Sequence, residues 1–92
     1  MGVRPRQRPE RLAEKLLAIR AALGLSQVQM VKRLDGEGMI VPGQISEFET
    51  GKREPSLPIL LRYARIAGVC MDTLVDDKLN LPAKLPAKPK HS

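Results

Sequence analysis

The side chains best equipped to read or grip another molecule fall between Gln27 and Arg53. The carboxamide of Gln44 can pair in bidentate fashion with N6 and N7 of adenine, and the carboxylate of Glu47 can accept from N4 of cytosine. Just beyond them Lys52 and Arg53 bring two positive charges, suited to neutralising backbone phosphates. Each has a plainer alternative. Gln44 can turn back as an N3 capping partner, Glu47 is repelled by phosphate, and Lys52 and Arg53 serve equally as an ordinary solvated pair.

Such groups act together only if an element presents them on one side. The stretch from Leu25 to Lys52 supplies it, reading as two short helices joined by a glycine-containing turn. Ser26 is an N-cap, and Val28, Met30, Val31 and Leu34 cover a helical stripe that Asp35 and Gly36 end. Pro42 opens a second helix with Ile45 and Phe48 on one face and Gly51 as a left-handed C-terminal cap. This is the outline of a helix-turn-helix, whose second helix lies in the DNA major groove.

Flanking elements complete a small helical unit. Pro9 fits a first-turn position of a helix carrying Leu12, Leu16, Ile19 and Leu23 on one stripe and ending at Gly24. A fourth helix begins after Ser56, tolerates Pro58 in its first turn, buries Leu57, Leu60, Leu61 and Ala64, and ends at Gly68. A last short helix, about Met71 to Val75, places Leu74 on the core, with Cys70 at its N-terminal edge. Phe48 is expected at the centre of this aliphatic core. The expected organisation is a basic arm over 1–8, a compact domain over 9–76 and a Pro/Lys-rich tail over 77–92. The tail repeats Leu81-Pro82-Ala83-Lys84 as Leu85-Pro86-Ala87-Lys88, which opposes helix and sheet alike. It is either extended and disordered, or folded back through Leu79, Leu81 and Leu85.

The ordered pieces Leu25-Ser26-Gln27, Ile45, Glu49-Thr50-Gly51-Lys52, Pro55-Ser56-Leu57 and Ala64 to Val69 resemble the Cro and phage-repressor (XRE) type of bacterial regulator. The resemblance runs from about Leu12 to Val75. It implies an all-α, five-helix, lambda-repressor-like DNA-binding domain. It places Gln27 where the family hydrogen-bonds a DNA phosphate, with Ser46, Lys52 and Arg53 as further phosphate candidates. It puts Gly43, Gln44 and Glu47 at base-edge positions and pairs Arg20 with Glu49. Three departures stand out. Pro42 and Gly43 offer no side-chain hydrogen bonds, Val31 replaces the family's usual alanine between the two helices, and the turn from Asp35 to Val41 is longer than the family pattern. That turn is either a surface bulge or an apolar contact for DNA or a partner through Met39 and Ile40.

Composition bears on partners. Sixteen Lys and Arg against ten Asp and Glu leave a formal charge of +6, which favours a polyanion. Arg4, Arg6 and Arg8 in the arm either wrap the duplex or enter a narrow minor groove, or are simply solvated. Phe48 and Tyr63 are the only aromatic residues, too few for the stacking that single strands need. A single cysteine excludes an internal disulfide and suits a reducing compartment. No apolar run reaches the roughly 20 residues of a membrane span. No phosphate loop, metal cluster or general acid–base pair is visible, and the lone His91 has no partner. The expectation is therefore a non-enzymatic, cofactor-free, cytoplasmic and nucleoid-associated protein of bacterial or phage type. It would be a homodimeric regulator on a pseudo-palindromic double-stranded operator, with no membrane or small-molecule partner. The alternative is a protein-interaction module, such as an antitoxin, facing its partner with Glu47, Glu49 and the loop Met39 to Val41.

Overall fold

Helical spacing of Leu12, Leu16, Ile19 and Leu23 produces the buried stripe of α1 (Leu12–Leu23), closed by Gly24 at φ 70°. The computed structural model describes residues 9–35 and 38–85 and continues with α2 (Gln27–Arg33), α3 (Pro42–Thr50), α4 (Leu57–Ala67) and α5 (Met71–Val75). No strand occurs among the described residues. The α1 helix packs on α3, α4 and α5, while α2 packs on α3 and α4 on α5. The core thus gathers where α1, α2 and α3 meet, with Leu16, Ile19, Met30 and Ile45 fully buried.

Local chemistry explains most boundaries. Ser26 caps α2 by accepting from Gln29 N–H at 3.1 Å, and the Gln29 side chain accepts from Ser26 N–H at 2.8 Å, a complete capping box. Ser56 caps α4, accepting from Ile59 N–H at 3.4 Å, and proline occupies the first turn of both α3 and α4. Gly51 and Gly68 end those helices in the left-handed region.

The start of α1 differs from expectation. Pro9 lies outside the helix, and Arg11 at the N-cap position receives no local side-chain cap. The cap comes from the far end of the chain, where the two carboxylate oxygens of Asp77 accept from Glu10 N–H at 2.9 Å and Arg11 N–H at 3.0 Å. These two amides point at Asp77, so helical geometry begins only after them. Arg11 Nη1 donates in turn to Asp77 O at 2.9 Å. Lys15, on the buried side of α1, donates from Nζ to Thr73 O at 2.8 Å and Asp76 O at 3.0 Å, meeting the open carbonyls at the end of α5. Burial lowers the pKa of its ammonium. Beyond α5 the chain folds back, with Leu81 and Leu85 half-buried against the core and Leu79 exposed.

Several expected core positions are corrected. Val28 is 55% exposed, because it lies about 200° around α2 from Met30, away from the Met30, Val31 and Leu34 face that is buried. Leu57 is 69% exposed and Leu61 also faces out. The buried stripe of α4 is Ile59, Leu60, Tyr63, Ala64 and Ala67, rotated about one residue from the leucine-based reading. Ile40 is buried rather than offered to a partner, and it anchors the long turn in the core, while Met39 is exposed. Phe48 is buried as expected, and Tyr63, also in the core, is more completely enclosed.

Candidate nucleic-acid interface

Two buried anchors orient α3. Ile45 and Phe48 face α1 and α2, which leaves Gly43 exposed and Gln44, Ser46 and Glu47 half-exposed on the remaining surface. A Cβ built on Gly43 meets nothing within 4 Å, so this point of the first turn is open to close approach by another molecule. No side chain of α3 is basic; the positive charge near it comes from Lys52 and Arg53, both exposed just past Gly51.

Gln44 performs its capping role here. Its Oε1 accepts from Val41 N–H at 3.0 Å, while Gln44 N–H donates to Val41 O at 2.9 Å. Val41, apolar and exposed, has no side chain able to reciprocate, so Gln44 supplies the one side-chain bond at this helix start. One lone pair of Oε1 is engaged, and the two Nε2 hydrogens can still be donated to an acceptor on another molecule.

Glu47 is neutralised from its own flank. Arg53 Nε donates to Glu47 Oε1 at 2.8 Å, and Lys52 and Arg53 N–H both donate to Glu47 O. The pair is solvent-exposed and holds little energy, yet it offsets the negative charge of Glu47 on this surface. It also commits Arg53 to Glu47, whereas the Lys52 ammonium forms no ion pair or side-chain hydrogen bond among the described residues. Ser46 contributes its carbonyl to Thr50 Oγ1 at 3.0 Å.

The Arg20 and Glu49 pair is formed as a fork. Arg20 Nε donates to Glu49 Oε2 at 2.6 Å, Nη2 to Oε1 at 3.0 Å, and Nη1 to Leu25 O at 3.0 Å. The hydrogen bond to Glu49 raises the pKa of Arg20. Gln27 Nε2 also donates to Glu49 Oε1, at 3.4 Å. That length is near the limit of a hydrogen bond, so the amide can leave Glu49 for another acceptor at small cost. The fork therefore joins α1, the entry to α2 and the end of α3.

Arg4, Arg6 and Arg8 lie outside the described residues, as do Gly36 and His91. Among the described residues, no group of His, Cys, Asp or Glu is placed to hold a metal ion, and no helix is long and apolar enough to cross a membrane.

A family model described as helix-turn-helix matches residues 16–74. The chain belongs to the helix-turn-helix family. Among solved structures, it is similar to the P22 c2 repressor protein, whose crystal structure is in complex with synthetic operator 9T in the presence of Tl+. The similarity has a TM-score of 0.62 at 23% identity and covers 72% of this chain and 94% of that one, so the two share a fold. No curated protein matches in sequence. Within the helix-turn-helix frame, α2 and α3 are the two motif helices, and the match ends at Leu74, before the segment that caps α1.

Several structural participants escaped sequence reasoning. Lys15 had a signal, since it lies three residues after Leu12 on an otherwise apolar stripe. Asp77 had only the indirect signal of a helix start lacking Ser, Thr, Asp or Asn directly before Leu12. Arg62, which reaches from α4 to the end of α2, had none.

Proposed function

We infer that the protein is a double-stranded DNA-binding transcriptional regulator of repressor type that lays α3 in the major groove. The observation that carries this reading is α3 itself, held from behind by Ile45 and Phe48 and open at Gly43, in a chain of the helix-turn-helix family. The operator complex of the similar P22 c2 repressor supports it. Gln44 donates from Nε2 to base or phosphate acceptors near the start of α3. Lys52 and Gln27 contact phosphates on either side of it, and Ser46 is a further phosphate ligand. Arg53 acts mainly by neutralising Glu47. Glu47, so engaged, is a weaker base reader than Gln44. Arg4, Arg6 and Arg8 add sequence-independent attraction. A cytoplasmic homodimer on a pseudo-palindromic operator, with half-sites roughly 34 Å apart, fits the motif.

A second reading, a protein-interaction module, draws on the absence of basic side chains in α3 and on exposed Met39 and Val41. It loses Glu49 and Ile40, because the first is committed to Arg20 and the second is in the core. Selection of duplexes from a random library, followed by salt titration of the best one, separates the two. A palindromic consensus is expected, with its selectivity relaxed by Gln44→Ala and the salt slope reduced by about 0.9 by Lys52→Ala. Weak binding without a consensus would instead support the protein partner.

A further inference from the structure

The turn that leads into α3 is held by a residue from another helix. Arg62, half-buried on α4, directs Nη1 at Asp35 O at 2.8 Å and Leu34 O at 3.2 Å, both at the end of α2. The same nitrogen lies 3.4 Å from Met39 Sδ, two residues before the Val41 cap of α3. A guanidinium at the C-terminus of a helix meets its open carbonyls and the negative end of its dipole. Here it does so where Asp35 stands at φ 56°, a left-handed conformation that asparagine and aspartate tolerate better than most residues and that needs support from its surroundings. Ile40, next to Met39, is buried, so the far side of the turn is pinned as well.

We propose that Arg62 is a positioning residue for DNA recognition, stapling the end of α2 to the approach of α3 and thereby setting where Gly43 and Gln44 stand. It touches no base. Its partners are two backbone carbonyls and a thioether, so it acts whatever the operator sequence is. The role rests on the DNA-binding reading above, and it is distinct from a phosphate contact, because the cation is engaged with the protein's own carbonyls. The turn it braces is the Asp35 to Val41 segment, the one that is longer than the family pattern the sequence resembles.

The test compares the full chain with Arg62→Ala and Arg62→Lys, at a temperature where each is folded by circular dichroism. Three quantities are measured: affinity for the selected operator, affinity for an unrelated duplex, and native-state amide exchange in the first turn of α3. Arg62→Ala is expected to reduce the ratio of specific to non-specific affinity by roughly tenfold, the scale of losing charge-assisted hydrogen bonds. The salt slope should stay unchanged, and exchange should quicken at Gln44 and Ile45 while α1 keeps its protection. Arg62→Lys keeps the charge, but its ammonium ends about one bond short of the Nη1 position, so it should recover only part of the ratio. A fall in both affinities together with a shallower salt slope would make Arg62 a phosphate ligand and overturn the proposal. Complete recovery by lysine would reduce its role to charge and overturn the staple. If the unaltered chain selects no duplex, the DNA-binding reading fails instead, and the exchange measurement alone decides whether Arg62 orders α3.

Discussion

At Tyr63 a hydroxyl is fully enclosed with no hydrogen-bond partner among the described residues. Burial, reinforced by the charge of Glu49, pushes its pKa well up, so it stays a neutral phenol that has given up water and received nothing in return. Tyr63→Phe keeps the ring and removes the orphan donor. A gain of about 1 kcal/mol is expected, which for a domain of this size raises Tm by roughly 4–8 °C. A lower Tm in a thermal melt would show that the hydroxyl has a partner after all. Gly43 poses the opposite case, since its backbone is helical and a Cβ there meets nothing. Gly43→Ala should therefore stabilise the isolated protein by up to about 1 kcal/mol. The same methyl group stands in the path of a groove, so operator affinity should fall while Tm rises. If both rise, α3 does not approach DNA at this point.

Among the described residues, the polar ties between elements each have a distinct task. Arg20 reaches from α1 to Glu49 at the end of α3, where the carboxylate is almost enclosed. Removing one partner of such a pair leaves the other charge buried, which costs about 3 kcal/mol, whereas the intact pair mainly fixes geometry. Arg20→Ala should thus lower Tm and weaken DNA binding together; if calorimetry and binding are both unchanged, the fork does not position α3. Asp77 ties the end of the chain to the start of α1, and the two backbone amides it accepts hold its carboxyl below the ordinary value of 3.8. A depressed carboxylate pKa means that the unfolded chain binds the proton more readily. The stabilisation is therefore present above pH 3.8 and is lost as pH falls through the lower, folded value. Asp77→Asn should melt below the unaltered protein at neutral pH, and the gap should close as the solution is acidified below that range. A gap that persists at low pH would place the effect in something other than the charged cap. These interactions join residues well apart in the chain, and for that reason the cap that Asp77 supplies was not legible along the sequence, although the fold-back through Leu81 and Leu85 was one of the two readings of the tail. Proline content spoke against helix and sheet there; a turn at Asp77 and Lys78, closed by Leu79 N–H donating to Asp76 O, sets the Asp77 carboxylate against the first helix, and Leu81 and Leu85 then pack on the core.

For the whole molecule, the formal charge of +6 is spread unevenly in function. Arg11, Lys15, Arg20, Arg53 and Arg62 are engaged with the protein's own carbonyls or carboxylates. The attraction for a polyanion must then come largely from the remaining cations, Lys52 and the arm arginines among them. Deleting residues 1–8 should weaken binding to operator and unrelated duplex alike and flatten the salt dependence, by about 0.9 in slope for each phosphate that is no longer neutralised. An unchanged slope would leave the arm solvated in the complex.

What the sequence by itself determined is the set of features that arise within a turn or two of helix. Ser26 and Ser56 as caps, Pro42 as a helix opener, Gly24, Gly51 and Gly68 as stops, and the buried faces of α1 and α3 all follow from capping chemistry and helical period. Ordered together, they made the fold legible and the surface of α3 a candidate site. Only the tertiary structure decided which side of α4 is core, that Ile40 turns inward, that Gln44 spends an acceptor on its own helix, and that Glu47 is paired with Arg53. It alone brought Asp77 to α1, Lys15 to α5 and Arg62 to the turn before α3. Capping and periodicity couple neighbours a few residues apart, whereas these long-range ties depend on where whole helices come to rest, and that is set by the packing of every apolar face at once.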